Sequence, residues 1–186
     1  MAYIAYPVAI GIHLVLQAIW FILPAYFANS SPVIGYRLFG RHNYPIDFGK
    51  KLKDGKRVFG EGKTWNGLLF GVAIAMVVAC VQSMVQANYP MNGFLPMSLE
   101  LGFLLGAGAL FGDLVKSFFK RRKGFERGKS WFPFDQIDFI LGAFLFSLIL
   151  VQFNWKYFII LLIVTPAIHW LTNYIGFKLK FKKEPY

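Results

Sequence analysis

Five long stretches of this chain carry few charges, and they limit what it can fold into more than any other feature. They fall at about 6–29, 66–87, 95–116, 136–154 and 156–176. A helix that crosses a bilayer needs roughly 20 mostly apolar residues, and each stretch meets that length. The 186 residues are 56% apolar and 19% aromatic, with 16% charged. A water-soluble domain of this size would carry more charge, so the composition points to an integral membrane protein. Gly and Pro inside the stretches fit that class, because membrane helices tolerate both. The expectation is an all-α membrane protein with one transmembrane domain over 1–186 and five spans.

The cations divide the connections into two kinds. Of the 20 Lys and Arg, eight lie in 30–64, seven in 116–129 and four in 177–186, leaving Lys156 in a short turn. The connection 88–94 has none. Basic connections stay in the cytoplasm. The N-terminus is therefore expected outside and the C-terminus inside, with cytoplasmic loops at about 30–65 and 117–135. The opening MAYIAYPVAIGIHLVLQ has neither a positive n-region nor a small-residue cleavage pattern, so it reads as a retained first span. The lone cysteine, Cys80, falls inside the second span and is expected to pack as a small apolar residue. The net charge of +11 has two readings: topology with attraction to anionic lipid, or an anionic substrate. No nucleic-acid partner is expected.

The first loop, NSSPVIGYRLFGRHNYPIDFGKKLKDGKRVFGEGKTWNG, has turn residues throughout and no sustained period. Scattered apolar residues (Val33, Ile34, Leu38, Phe39, Ile46, Phe48, Leu52, Val58, Phe59) predict an ordered loop that packs locally. Gly60, Gly62, Lys63 and Thr64 then precede a helix start, where free N–H groups favour anions. This is not a P-loop: Arg57 stands at the first Gly position. Thr64 as an ordinary N-cap and Lys63 as a phosphate contact are both open readings.

The second loop and its flanks, GDLVKSFFKRRKGFERGKSWFPFDQIDF, are more informative. Lys116, Ser117 and Lys120 follow Asp113 at i+3, i+4 and i+7, which puts all four on one helical face. An acid near membrane depth needs a cation or a watery cavity, so Asp113 is either internally paired or functional. Asp135 and Asp138, spaced i and i+3, share a face at the start of the next helix. They could simply suit the helix dipole. With Asp113 brought alongside, the three carboxylates among cations could instead hold a hard divalent ion with polyphosphate.

SFFKRRKGFERGKSWFPFDQID resembles the signature of the membrane CDP-diglyceride synthetases, or phosphatidate cytidylyltransferases. That pattern runs Ser-x-x-Lys-Arg, a linker with Lys-Asp, Pro and glycines, then Asp-Arg-x-Asp. Ser117, Lys120 and Arg121 match its start, and Asp135, Gln136 and Asp138 its end, with Gln for Arg. Glu126-Arg127 replaces Lys-Asp, and the His-Gly-Gly element of the family is missing. The short chain, the five spans and the first loop are more similar to the archaeal branch, the CDP-archaeol synthases. The resemblance covers about 29–145. It implies a membrane cytidylyltransferase that uses CTP and Mg²⁺ to convert an isoprenoid glycerol-ether lipid phosphate into a CDP-lipid, releasing pyrophosphate in archaeal phospholipid synthesis. It implies Asp113, Asp135 and Asp138 as metal ligands, with Lys120 completing the catalytic set. Lys63, Lys116 and Arg121 would neutralise phosphates, and Ser117 and Thr64 would hydrogen-bond them. Asn29, Asp54 and Asn66 are candidates for ribose, base or supporting contacts.

Two other lipid readings and a carrier compete with it. A phosphatidate enzyme acting on ester lipid is the nearest. The CDP-alcohol phosphatidyltransferase pattern begins at Asp54-Gly55 but fails at Val58-Phe59. A small carrier would have Glu100, His13 and His169 as its intramembrane ionisable groups, scattered over three spans, whereas carriers gather such groups near the midplane. His42 lies in a loop, with nothing to suggest zinc.

Overall fold

A computed structural model describes residues 2–31, 35, 44–126 and 129–178. Val33, Ile34, Leu38, Phe39, His42, Arg127 and the tail beyond Lys178 lie outside the described residues, as does the His169 side chain. Five long helices are complete enough to bound among the described residues: α1 Ala2–Ser30, α2 Trp65–Asn88, α3 Leu99–Arg122, α4 Phe134–Ser147 and α5 Trp155–Lys178. Three of the starts have a local cause. Thr64 and Ser98 cap α2 and α3 by accepting the N–H of Gly67 and Leu101, both at 3.2 Å. Asn154 does the same for α5 through the N–H of Tyr157 at 3.2 Å. Gly124, at φ +78°, turns the chain after α3 in a left-handed conformation that glycine adopts without steric cost.

Gly11–Ser30, Trp65–Asn88 and Leu99–Arg122 are long and apolar enough to cross a membrane. The third and fourth helices have bounds other than those expected. The third helix starts at Leu99 rather than 95 and runs on to Arg122, so Lys116, Ser117, Lys120 and Arg121 lie on helix. Cations there suit the negative end of the helix dipole. The apolar stretch 136–154 is helical only to Ser147. The Ser147 hydroxyl donates to the Phe144 carbonyl at 2.9 Å, and the chain then turns through Leu150 and Val151, whose N–H groups both bond to the Ser147 carbonyl. At 14 residues, α4 is about 21 Å long, shorter than the roughly 30 Å hydrocarbon core.

The helices alternate in direction. Ala28 meets Gly71, and further along the same pair the amide of Gln82 donates to the Trp20 carbonyl. On α2 and α3, Ala75 faces Gly106 while Ala79 faces Gly102. On α3 and α4, Gly108 faces Gly142 and Gly112 faces the Asp138 carbonyl. A Cβ at any of these three glycines would overlap backbone of the opposite helix, so α3 and α4 touch through their main chains. In α5, Tyr157 reaches Gln17 and Thr165 reaches Tyr26 at 2.6 Å, so this helix runs parallel to α1. Ile22, Leu105, Ile140 and Leu161 lie fully buried where α1, α3, α4 and α5 meet. This alternation gathers the end of α1, the start of α2, the end of α3 and the start of α4 at one end of the bundle.

The described part of the first loop is ordered, with Ile46, Val58 and Phe59 half-buried but Phe48 and Leu52 turned outward. Phe48 is 67% exposed and Leu52 44%. Its order comes from isolated bridges at Pro45–Thr64 and Lys51–Arg57 and from one buried acid, Asp47.

Candidate active site

At that end of the bundle, Lys116 is the hub. Its ammonium lies 3.1 Å from Asp113, 3.1 Å from Asp135 and 2.7 Å from Asp138. The helical spacing read from the sequence thus becomes a real cluster, joined from α4 by the two acids one turn apart. Lys63, at the end of the first loop, reaches across to Asp113. Lys120 donates to both oxygens of Asp135, at 3.0 and 3.1 Å, and to the Lys129 carbonyl at 2.5 Å. The N–H of Trp131 also donates to Asp135, at 2.5 Å, which fixes the loop to the first turn of α4. Ser117, Lys120 and Asp138 are buried.

Asp138 stands out within the cluster. Its Oδ1 is buried without a hydrogen-bond partner among the described residues. A buried carboxylate oxygen left open is costly unless something cationic or a donor completes it. Among the described residues, no group of three or more His, Cys, Asp or Glu is arranged to hold an ion by itself. The three acids converge on an ammonium at hydrogen-bond distance, wider than the 2.0–2.1 Å of magnesium–oxygen bonds. Magnesium normally takes one or two carboxylates with phosphate oxygens and water, and that is a donor set these residues fit.

The remaining sequence candidates separate. Thr64 is buried and uses its hydroxyl as the α2 N-cap. Asn66 opens the same turn of helix. Arg121 lies against the loop at Gly60, where an added Cβ would sit 3.7 Å from its side chain, and its Nε is buried without a hydrogen-bond partner among the described residues. Asp54 is drawn into a loop-to-helix tether, accepting from the Lys56 N–H at 3.0 Å and lying 3.3 Å from Arg122. Asn29 lines a separate apolar groove with Tyr26, Phe139 and Thr165. Of the carrier candidates, His13 packs edge-on to Phe94 at the opposite end of the bundle, and Glu100 is exposed in the first turn of α3.

Three residues that sequence reasoning passed over organise the first loop. Asp47 accepts from Arg57 at 2.5 Å and from the N–H groups of Gly49, Phe59 and Gly60. Burial opposes its ionisation, but Arg57 and these N–H groups outweigh that and hold its carboxyl at about 2. Arg122 donates to the carbonyls of Lys56 and Arg57, pinning the loop to the end of α3. The legible signal was an acid flanked directly by apolar residues, Ile46-Asp47-Phe48, unlike Asp54 and Glu61 in the same loop.

Beside the cluster, α3 and α4 enclose a groove of about 350 Å³ that is almost wholly apolar. Phe111, Phe119, Leu141 and Leu145 line it, and Lys116 and Asp138 are the charged residues in its wall.

A family model described as CarS-like, CDP-archaeol synthase, matches residues 11–186. The CDP-archaeol synthase of Pyrococcus abyssi is 44% identical over 172 residues, covering 92% of this chain and 98% of its own. That of Thermococcus onnurineus is 46% identical, covering 92% of this chain and 96% of its own. A solved structure of an intramembrane enzyme for archaeal membrane lipid biosynthesis superposes with a TM-score of 0.73 at 34% identity, covering 86% of this chain and 94% of that one.

Proposed function

The chain belongs to the CDP-archaeol synthase family, and we propose that it transfers CMP from CTP to 2,3-di-O-geranylgeranylglycerol 1-phosphate. The observation that carries this reading is the apolar groove whose lining includes Lys116 and Asp138 of the charged cluster. A phosphorylated lipid has the same division: long apolar chains and a doubly anionic head. With the chains along α3 and α4, the head would meet the cation hub. CTP would arrive from the opposite side, over the first loop.

The charge pattern supports five spans with the N-terminus outside and the site facing the cytoplasm. Lys178, in the last turn of α5, lies at the end of the bundle that carries the site.

The chemistry asks little of the protein beyond placement and charge. The nucleophile is an ionised phosphate oxygen of the lipid, so no general base is needed. It forms a bond to the α-phosphorus of CTP as the bond to the bridging oxygen breaks, and pyrophosphate leaves with that electron pair. Alignment and neutralisation of two anions lower the barrier. Lys63, Lys116, Lys120 and Arg121 supply cations, and Ser117 a hydrogen bond. Asp113, Asp135 and Asp138 are the groups that would hold Mg²⁺, whose charge, when bound, offsets the phosphate oxygens. Lys116 exchanges its carboxylate partners for phosphate as substrate binds.

The test is purified protein with radiolabelled CTP, Mg²⁺ and a panel of ether and ester lipid phosphates. The expected result is label in an ether CDP-lipid with an equal amount of pyrophosphate, nearly abolished by Asp138→Asn. Inorganic phosphate as coproduct, or equal use of an ester lipid phosphate, would count against the assignment.

A further inference from the structure

A loop of turns and bends holds a shape only if something inside it replaces the missing secondary structure. In this protein that centre is Asp47, whose side chain is fully buried. Its Oδ1 takes the guanidinium of Arg57 at 2.5 Å and the Gly49 N–H at 3.1 Å. Its Oδ2 takes the N–H groups of Phe59 and Gly60, at 3.0 and 2.9 Å. One carboxylate therefore binds both limbs of the loop, residues 47–49 and residues 57–60.

The limb it holds is the one that carries functional groups. Beyond Gly60 the chain reaches Lys63, whose side chain contacts Asp113, and Thr64, which caps α2. The second half of this limb is strapped by backbone bonds, from the Ile46 N–H to the Lys63 carbonyl at 2.8 Å and from the Trp65 N–H to the Tyr44 carbonyl at 3.0 Å. Its first half lies against Arg121 at Gly60. Asp47 follows Ile46 of the strap directly and ties the first half, at Phe59 and Gly60, to it.

The backbone bears a cost to put it there. Phe48 and Gly49 have φ of +46° and +80°, and Lys50 closes the turn by donating its N–H to the Asp47 carbonyl at 2.7 Å. Glycine adopts this conformation without steric cost, whereas phenylalanine is strained in it. Phe48 is exposed, so burial of its ring does little to offset that strain. Such strain persists where surrounding bonds over-determine it, and here those bonds converge on Asp47.

We propose that Asp47 is a positioning residue for the nucleotide: it sets the Gly60–Thr64 segment so that Lys63 meets the CTP phosphates beside Arg121. It touches no reacting atom. This rests on the reading of Lys63 and Arg121 as nucleotide contacts. The apolar groove for the lipid lies along α3 and α4, and its lining includes no described residue of this loop. The two substrates therefore respond differently.

The test is steady-state kinetics of full-length protein with both substrates varied. Asp47→Asn is expected to raise KM for CTP on the order of tenfold to a hundredfold, as small misplacements of binding groups do. KM for the lipid phosphate stays within about twofold of wild type, as expected for a group outside the lipid groove. A merely structural role would lower the active fraction, reducing kcat with both KM values unmoved; that result overturns the proposal. Glu61→Gln, which removes the exposed second partner of Arg57 at 3.3 Å, is the control and should leave both KM values alone. If Asp47→Asn cannot be purified folded, Arg57→Met carries the test: a smaller rise in KM for CTP is expected, and an unchanged value overturns the proposal. Lys63→Ala separates the two levels. If it raises KM for CTP and the loop variants do not, positioning by Asp47 is wrong; if it does not, the nucleotide reading of the loop fails as well.

Discussion

Replacing Lys116 with Met keeps most of the stem and removes the ammonium shared by Asp113, Asp135 and Asp138. The three acids do not suffer equally. Asp113 keeps Lys63, and Asp135 keeps Lys120 and the Trp131 N–H. Asp138 loses its cation at 2.7 Å, with its side chain 6% exposed and Oδ1 already open. Removing one partner of a buried pair costs about 3–5 kcal/mol, and the loss should fall at the start of α4. Divalent metal then becomes diagnostic. In wild type the ammonium holds the space between the acids, so Mg²⁺ without CTP should add little to thermal stability in detergent. In Lys116→Met the same ion should restore about 2.7 kcal/mol at a hundredfold excess over its dissociation constant. The assay is thermal unfolding of both proteins over a Mg²⁺ series, with and without CTP. A variant as stable as wild type in metal-free buffer would refute the counter-ion role. Equal responses to Mg²⁺ alone would refute the idea that the lysine and the metal share one place.

Gly142→Ala should force α3 and α4 apart, because the added methyl meets the Gly108 carbonyl. A cost of about 1–3 kcal/mol in thermal unfolding is expected, together with a loss of turnover in the folded fraction, and normal turnover would argue against rigid support of the cluster. Lys120→Ala should lose far more activity than Lys123→Ala in the radiolabel assay. Lys120 is buried on Asp135, whereas Lys123 lies beyond the helix, 4.7 Å from the Trp131 ring; equal losses would undo the distinction.

What could be read in advance follows the range of each interaction. The spacing Asp113, Lys116, Ser117, Lys120 is a property of one helix, so its shared face was legible from the residues alone. Hydropathy located the helices but not the end of α4, because Leu148, Ile149, Leu150 and Val151 turn while being as apolar as the helix before them. The pairing of Lys63 with Asp113 spans two elements and has no local signature. Asp54 drew notice as a candidate ribose, base or supporting contact and lies in a tether to Arg122, while Asp47 carries the greater burden in the same loop. Turn chemistry marks where a chain bends; it does not say which of several acids lies inside the bend.

The main-chain contact of Gly108, Gly112 and Gly142 has a mechanical consequence. Side chains at an ordinary helix interface act as a compliant layer: they change rotamer and let one helix slide on another. Here that layer is absent across one face of α3 and α4. Asp113 and Asp138 are thus mounted on what is effectively one stiff bracket, and their separation is set by backbone contact. Any motion that admits two large anions and releases pyrophosphate must then occur elsewhere. The long arms of Lys63, Lys116 and Lys120 can swing, and the first loop, resting on the end of α3 through Arg122, can lift. The acids stay fixed as a gauge while the cations move.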